Sequence, residues 1–230
     1  MGINSVANIS RKAENQDNYW SGILSIDGDE VGVLCVCDGM GGLRDGAKAS
    51  SEVVRRIRRF ILDGGNIYDL GGVIDDANNF IREKNGENRS GTTCTLLWCS
   101  GGRYVVYSVG DSRCYRWGVR DSVPFVDRIT VDHTVIEKYR SEGKELSEDI
   151  VRKYKNVLTR CVGASSVARY DRFEGSYDSG DYFLVCSDGF WHTISETDFL
   201  NGDIKDIESI VQRCMLRGEV DNITACSLVV

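Results

Sequence analysis

No stretch of this 230-residue chain reaches the length of a membrane span, and the opening MGINSVANIS has no apolar core of a secretion signal. Gly2 is followed at the sixth position by Val6, where lipidation of an N-terminal glycine wants Ser or Thr. There is no long basic run, and the net charge is −7, which speaks against nucleic acid and anionic membrane surfaces as partners. Internal repeats, low-complexity tracts and linkers are also missing, so residues 1–230 are read as one domain. Nine cysteines are present, but the number is odd and no CxxC pair exists. Cys35, Cys37, Cys94, Cys186 and Cys226 lie in apolar, strand-like runs, where the thiol behaves as a small hydrophobe. These are the reduced thiols of a cytoplasmic protein, and no His or Cys set stands at metal-ligand spacing. What remains is an ordinary globular composition, 41% hydrophobic and 27% charged, long enough to bury a substantial core.

The chain is organised around Val31–Gly42, VGVLCVCDGMGG. An apolar, β-prone run ends in Asp38 and a glycine cluster, which sets a carboxylate at the rim of a rigid sheet and lets backbone come close to whatever it binds. A plain strand followed by a tight turn reads equally well from this stretch alone. The same design recurs: YFLVC (182–186) ends in Ser187-Asp188-Gly189, Asp221 stands just before ITACSLVV, and Asp17 stands where an extended segment begins in ENQDNYW. Four aspartates at strand ends, distant in sequence, point to one convergent, all-oxygen site. Hard oxygen ligands suit Mg²⁺ or Mn²⁺ rather than Zn²⁺, and several carboxylates in one cleft call for more than one cation.

In chain order, residues 4–16 read as extended and polar, 18–27 and 31–37 as a strand pair, 47–62 and about 70–84 as two amphipathic helices packing antiparallel. Arg55, Arg56, Arg58 and Arg59 fall on the solvated face of the first helix, and Gly64-Gly65 ends it. Strands follow at 92–99, 103–109, 113–117 and 121–128, the last holding the only proline, Pro124. A helix starts at Asp132-His133-Thr134, capped by Asp132 or Thr134, and the charged segment 141–156 reads as an exposed excursion. After the strand 182–186, a last helical region capped by Ser195 or Thr197 runs to about Arg217, and a final strand follows. Hairpin-joined strands with helices in the middle and near the end fit an α+β fold, a four-layer α/β/β/α sandwich of two antiparallel β-sheets flanked by helices.

Eight segments, in order and across nearly the whole chain, resemble the metal-dependent serine/threonine phosphatases of the type 2C (PPM) family: ENQDNYW (14–20), VCDGMGG (36–42), SGTTCTLLW (90–98), YSVGDSRCYRW (107–117), DHT (132–134), LTRCVG (158–163), YFLVCSDGFW (182–191) and DNITACSLVV (221–230). The resemblance implies a compact catalytic core with a flap-like segment near 141–165. It implies two Mn²⁺ or Mg²⁺ ions held by Asp17, Asp38, Asp188 and Asp221 with the backbone carbonyl of Gly39. Asp111 is the candidate ligand for a third ion, with a hairpin-turn residue as the alternative. The resemblance further implies that a water or hydroxide activated by these ions would attack phosphorus in line and displace the serine or threonine alkoxide. The cysteines are then bystanders, since none of Cys35, Cys94 and Cys161 opens the Cys-x5-Arg loop of a cysteine-based phosphatase.

Two positions depart from the family pattern. Lys12 stands where an Arg usually grips the phosphate, with Arg11 beside it; a point charge replaces a planar fork. Met40 stands where many eukaryotic members have a histidine, so the leaving group takes its proton from a metal-bound water or from elsewhere; His133 is a loose candidate that reads more readily as structural, and His192 reads as a surface or supporting residue. The implied partners are phosphoserine and phosphothreonine proteins in signal transduction, opposite a serine/threonine kinase. A non-catalytic phosphoprotein-binding module on the same fold and a phosphatase for small phosphate esters stay open, and Met40 leans towards a bacterial member.

Overall fold

The computed structural model describes residues 1–8, 10–40, 45–85 and 90–230, so Gly41 and Gly42 of the glycine cluster lie outside the described residues. The chain runs β1 (Gly2–Asn8), β2 (Asn18–Ile26), β3 (Asp29–Cys37), β4 (Gly39–Met40), α1 (Gly46–Leu62), α2 (Leu70–Asn85), β5 (Gly91–Thr92), β6 (Cys94–Ser100), β7 (Arg103–Val109), β8 (Arg113–Arg120) and β9 (Val123–Arg128). It continues through α3 (Val135–Ser141), α4 (Glu148–Tyr154), β10 (Asp171–Ser176), β11 (Tyr182–Cys186), α5 (Asp188–Trp191), α6 (Glu196–Leu200), α7 (Ile207–Leu216) and β12 (Ile223–Val229). Two five-stranded antiparallel sheets result, ordered β1-β12-β11-β8-β9 and β10-β7-β6-β3-β2.

The uninterrupted apolar character of β3 follows from its place in this stack. Val31, Val33, Cys35 and Cys37 face α1 and α2, while Leu34 and Val36 face the other sheet, so both faces are buried. Phe183, Val185, Cys226 and Leu228 meet them from the opposite side and fill the space between the sheets. The outer face of the first sheet is covered by α6 and α7 through Phe199, Ile207, Ile210 and Val211. This is the expected four-layer sandwich of two antiparallel sheets flanked by helices. All nine cysteines are free thiols.

Helix α1 buries Ala49, Val53, Ile57 and Ile61 and turns its arginines outward, where Arg55 and Arg56 share Glu52 and Arg59 meets Asp63. Gly64, at φ +82°, then supplies the left-handed residue that ends the helix. Pro124 falls on β9, an edge strand, where a missing backbone donor leaves no neighbour unpaired.

Four expectations need correction. The polar N-terminal segment is in part a strand: β1 pairs with β12 from Gly2↔Val229 to Asn8↔Ile223. The strand expected at 92–99 is two strands that break at Thr93, for a reason that lies in the acid site. The excursion at 141–156 contains a helix, α4, capped by Ser147 accepting from the Ile150 N–H. The last helical region is three pieces, because Gly202 takes φ +80° and ends α6 before a 3-10 turn at Asp203–Lys205. Among the described residues no helix is long and apolar enough to cross a membrane.

Candidate active site

Antiparallel pairing brings the acids to one end of the sandwich. The register places Asn18 opposite Cys37, so Asp17, just before β2, and Asp38, just after β3, leave the sheet at the same edge. Cys186 lies opposite both Ala225 and Arg113, which puts Asp188, Asp221 and Asp111 at the matching end of the other sheet. Asp38, Asp111, Asp188 and Asp221 line one cleft of about 240 Å³ together with Gly39 and Lys12. Asp17 is buried at 6% exposure and stands close enough to Asp38 and Asp188 to raise their mutual repulsion.

Each acid is held by its backbone or by one hydroxyl. The Asp38 N–H donates to Thr93 Oγ1 at 2.8 Å, while its carbonyl accepts from the Thr93 N–H and from Thr92 Oγ1. This grip is why β5 and β6 part at Thr93: the backbone groups that would extend the ladder are spent on Asp38. Ser187 Oγ donates to Asp17 Oδ2 at 2.8 Å and accepts from the Thr224 N–H. Gln16 donates through its N–H to Asn222 Oδ1, and the Gly39 N–H donates back to the Gln16 carbonyl, which ties three of the acid-bearing loops together. Asp111 is fixed from both sides. Its carbonyl accepts from Trp191 Nε1 at 2.9 Å, and the preceding Gly110 N–H donates to His133 Nδ1. Arg113 lies 3.4 Å over the Trp191 ring and makes a two-point pair with Asp132.

The side-chain oxygens are less well provided for. Asp17 Oδ1 and Asp188 Oδ1 are buried with no hydrogen-bond partner among the described residues. Burial, followed by repulsion from Asp17, Asp188, Asp111 and Asp221, pushes the Asp38 carboxyl well above the usual range. Burial raises Asp17 to about 6, with the Ser187 hydrogen bond opposing and Asp188 adding to the rise. Burial and the charges of Asp188 and Asp132 raise Asp111 to about 7, and burial with Asp221 raises Asp188. Orphaned carboxylate oxygens packed against one another, with all donors oxygen, are the environment that hard divalent cations satisfy. The donor set therefore fits Mg²⁺ or Mn²⁺.

Lys12 reaches the cleft, where its Nζ lies 3.1 Å from Asp221 Oδ1. Burial works against its charge, but the bond to Asp221 and the fields of Asp38 and Asp188 outweigh it and raise its pKa. Arg11 is exposed and is not among the cleft-lining residues. Neither histidine lines the cleft. His133 accepts from Gly110 through Nδ1, so its Nε2–H donates to Asp171 Oδ2 at 2.9 Å, and it is a structural residue behind Asp111. His192 lies outside against Glu219. Sequence reasoning missed Trp191, Arg113 and the threonine pair as supports of the acids. It also missed Asn156, at the end of the segment read as an excursion, and Leu158 just beyond it, which wall the cleft.

Gly39 has a steric role beside any electrostatic one. A Cβ there would stand 2.3 Å from the Gly46 carbonyl oxygen and 2.4 Å from that of Gln16, both backbone atoms. Gly39→Ala is expected to cost several kcal/mol, roughly the upper range for overpacking, by prising β4 from α1. A melting-temperature loss smaller than that of an exposed Gly→Ala control, such as Gly72→Ala, would contradict this.

The comparisons with known proteins agree with this geometry. Residues 6–223 match the family model described as Protein phosphatase 2C. The chain is 28% identical over 196 residues to the serine/threonine phosphatase stp of Listeria monocytogenes, covering 80% of this chain and 75% of that protein. It is 25% identical to the protein phosphatase PhpP of Streptococcus pneumoniae, covering 97% and 95% of the two chains. The structure of the S. agalactiae serine/threonine phosphatase superposes with a TM-score of 0.82 at 25% identity, covering 100% of this chain and 99% of that one. The match over nearly the whole length, with the acids gathered at one end of the sandwich, places this chain in the protein phosphatase 2C family.

Proposed function

We propose that the protein hydrolyses phosphoserine and phosphothreonine in proteins, opposite a serine/threonine kinase, with divalent cations held by Asp17, Asp38, Asp188 and Asp221. The observation that carries this reading is the set of buried, mutually repelling carboxylates with unpartnered oxygens. The Gly39 carbonyl is the backbone ligand in this proposal, and Asp111 with Asp188 offers a further cation position. Bound there, Mg²⁺ or Mn²⁺ supplies Lewis acidity and makes water a nucleophile near neutral pH.

The chain's own residues do the rest. Thr92 and Thr93 lock the Asp38 peptide, so its carboxylate keeps one position with or without substrate. Ser187 holds one oxygen of Asp17 and leaves the other turned to the acid cluster. Lys12, at the cleft mouth, is placed to meet the phosphoryl oxygens while keeping its contact with Asp221. With no histidine on the cleft wall among the described residues, water protonates the leaving alkoxide.

The test is hydrolysis of a phosphothreonine peptide with Mn²⁺, with Mg²⁺ and with EDTA. Turnover that requires the metal supports the reading. Its absence from a folded protein in every metal would move the chain to the phosphoprotein-binding class, and faster turnover of sugar phosphates would move it to small esters. Lys12→Ala is expected to raise KM about tenfold and leave kcat within a few-fold, because a point charge at the mouth holds ground state and transition state alike. Lys12→Arg should restore or improve KM. A fall in kcat with KM unchanged would mean that Lys12 acts on the reacting phosphoryl group.

A further inference from the structure

A second cavity lies apart from the acid cleft. It has about 660 Å³, lies between α3 and the segments 158–161 and 165–171, and is lined by Lys138, Arg160 and Arg169 among others. That volume is in the range of small-molecule sites.

The charged groups around the cavity are unevenly matched. Its three acids are already engaged. Asp132 is gripped by Arg113 at 2.6 Å and lies 3.6 Å from Arg128, neither of which lines the cavity. Asp171 accepts from His133 and from Arg160, and Glu137 pairs with Arg140. The cations are not matched in the same way. Arg169 is exposed and has no ion pair among the described residues. Lys138 is loosely placed, 3.9 Å from Glu142. Arg160 commits Nη1 to Asp171 and leaves Nε and Nη2 without a hydrogen bond among the described residues. Guanidinium forks with spare donors match the paired oxygens of phosphate or carboxylate, and three cations around one cavity favour the more highly charged phosphate. Exposed Val131 and Val167 add apolar surface at the rim, 45% and 53% accessible. A phosphate head on a partly apolar body answers both features.

The cavity also shares a wall with the acid cleft. Asn156 and Leu158 line the cleft, while Thr159, Arg160 and Cys161 line the cavity. The Thr159 N–H donates to the His133 carbonyl at 2.7 Å, and His133 in turn holds Gly110, next to Asp111. We infer that this cavity is a second ligand site, for a small phosphorylated molecule held by Arg160, Arg169 and Lys138, and that its occupancy is felt in the acid cleft through residues 156–161. The site does not depend on the hydrolytic reading, because it can be tested where no hydrolysis occurs.

The experiment uses the full chain in EDTA, where the unneutralised acids repel anions from the cleft, and titrates ADP while following assigned backbone amide signals. Expected are saturable shifts at Arg160, Arg169 and Asp171, with Asn156 and Leu158 moving on the same curve. Arg169→Ala with Lys138→Ala, two exposed changes that leave the circular dichroism spectrum intact, should weaken binding at least about tenfold. Absence of shifts at millimolar ADP, shifts centred on Lys12 and Asp221, or unchanged affinity in the double variant would each overturn the site. Still signals at Asn156 and Leu158, with the cavity saturated, would overturn the coupling.

Discussion

Asp38→Asn is expected to lower metal-dependent turnover of a phosphothreonine peptide by about three orders of magnitude or more while raising the melting temperature of the metal-free protein by several degrees. The two effects have one cause. Asp38 is the carboxylate on which the others converge, repelled by Asp17, Asp111, Asp188 and Asp221. Its backbone is held by Thr92 and Thr93 whatever the side chain is, so an amide of the same shape keeps the loop and removes the charge. Removing the charge relieves the apo protein and deprives a divalent ion of its central ligand. A variant that loses activity and stability together would show that Asp38 holds the fold rather than the cation, and the proposed chemistry would need another centre. A variant that keeps both would remove Asp38 from the site.

The second large effect concerns pH. In EDTA the protein should lose stability as pH rises from about 4 to about 7, on the order of several kcal/mol in total. Asp17 at about 6 and Asp111 at about 7 stand above the ordinary value of 3.8 that both take when the chain is unfolded. Between those values the folded state binds more protons than the unfolded one, so raising the pH favours unfolding. The stabilising protonated form is complete below about 4 and gone once the folded-state values are passed. Other carboxylates pull the opposite way: Asp171 and Asp198 have lowered pKa values, through His133 and Arg160 and through Arg213, against the opposing effect of burial. Their contribution is lost at the acid end, so the apo stability maximum should lie near pH 4–5. Millimolar Mn²⁺ should abolish the decline and add stability at pH 7–8, because an ion that binds only the folded state does so by mass action. Denaturant titrations at several pH values, with and without metal, measure both. A metal-free protein equally stable at pH 5 and pH 7.5 would show that the acids do not repel as their burial implies.

Much of the architecture was legible because period and punctuation agree in the strands. The β3 run is apolar on both faces since it lies inside the stack, and its end at Asp38-Gly39 reads directly. The acids could be named because each interrupts an apolar run, an anomaly visible without any contact. What supports them could not be. Trp191 looks like core, yet its indole N–H is aimed at the Asp111 carbonyl from 80 positions away. Thr93 sits inside a β-prone run, and only the partner strand shows that its hydroxyl and N–H serve Asp38. The break in the last helical region rests on Gly202, which a continuous apolar spacing hides. The readings of His133 as structural and His192 as peripheral hold, but sequence offers no direction for either ring: His133 faces Gly110 and Asp171 with both nitrogens.

The hydrogen bond from the Gln16 N–H to Asn222 Oδ1 spans 206 positions, and β1 zips to β12 beside it. During synthesis, therefore, the loop bearing Asp17 meets β3 early but waits for almost the whole sequence to be made before Asn222 can hold it. A chain stopped before Ile223 has no strand to fill the gap between β1 and β11, and Asp221 lacks the strand that fixes it at the sheet end. The strand that follows Asp221 also brings Cys226 and Leu228 between the sheets, so the like charges are gathered by the same step that completes the apolar core.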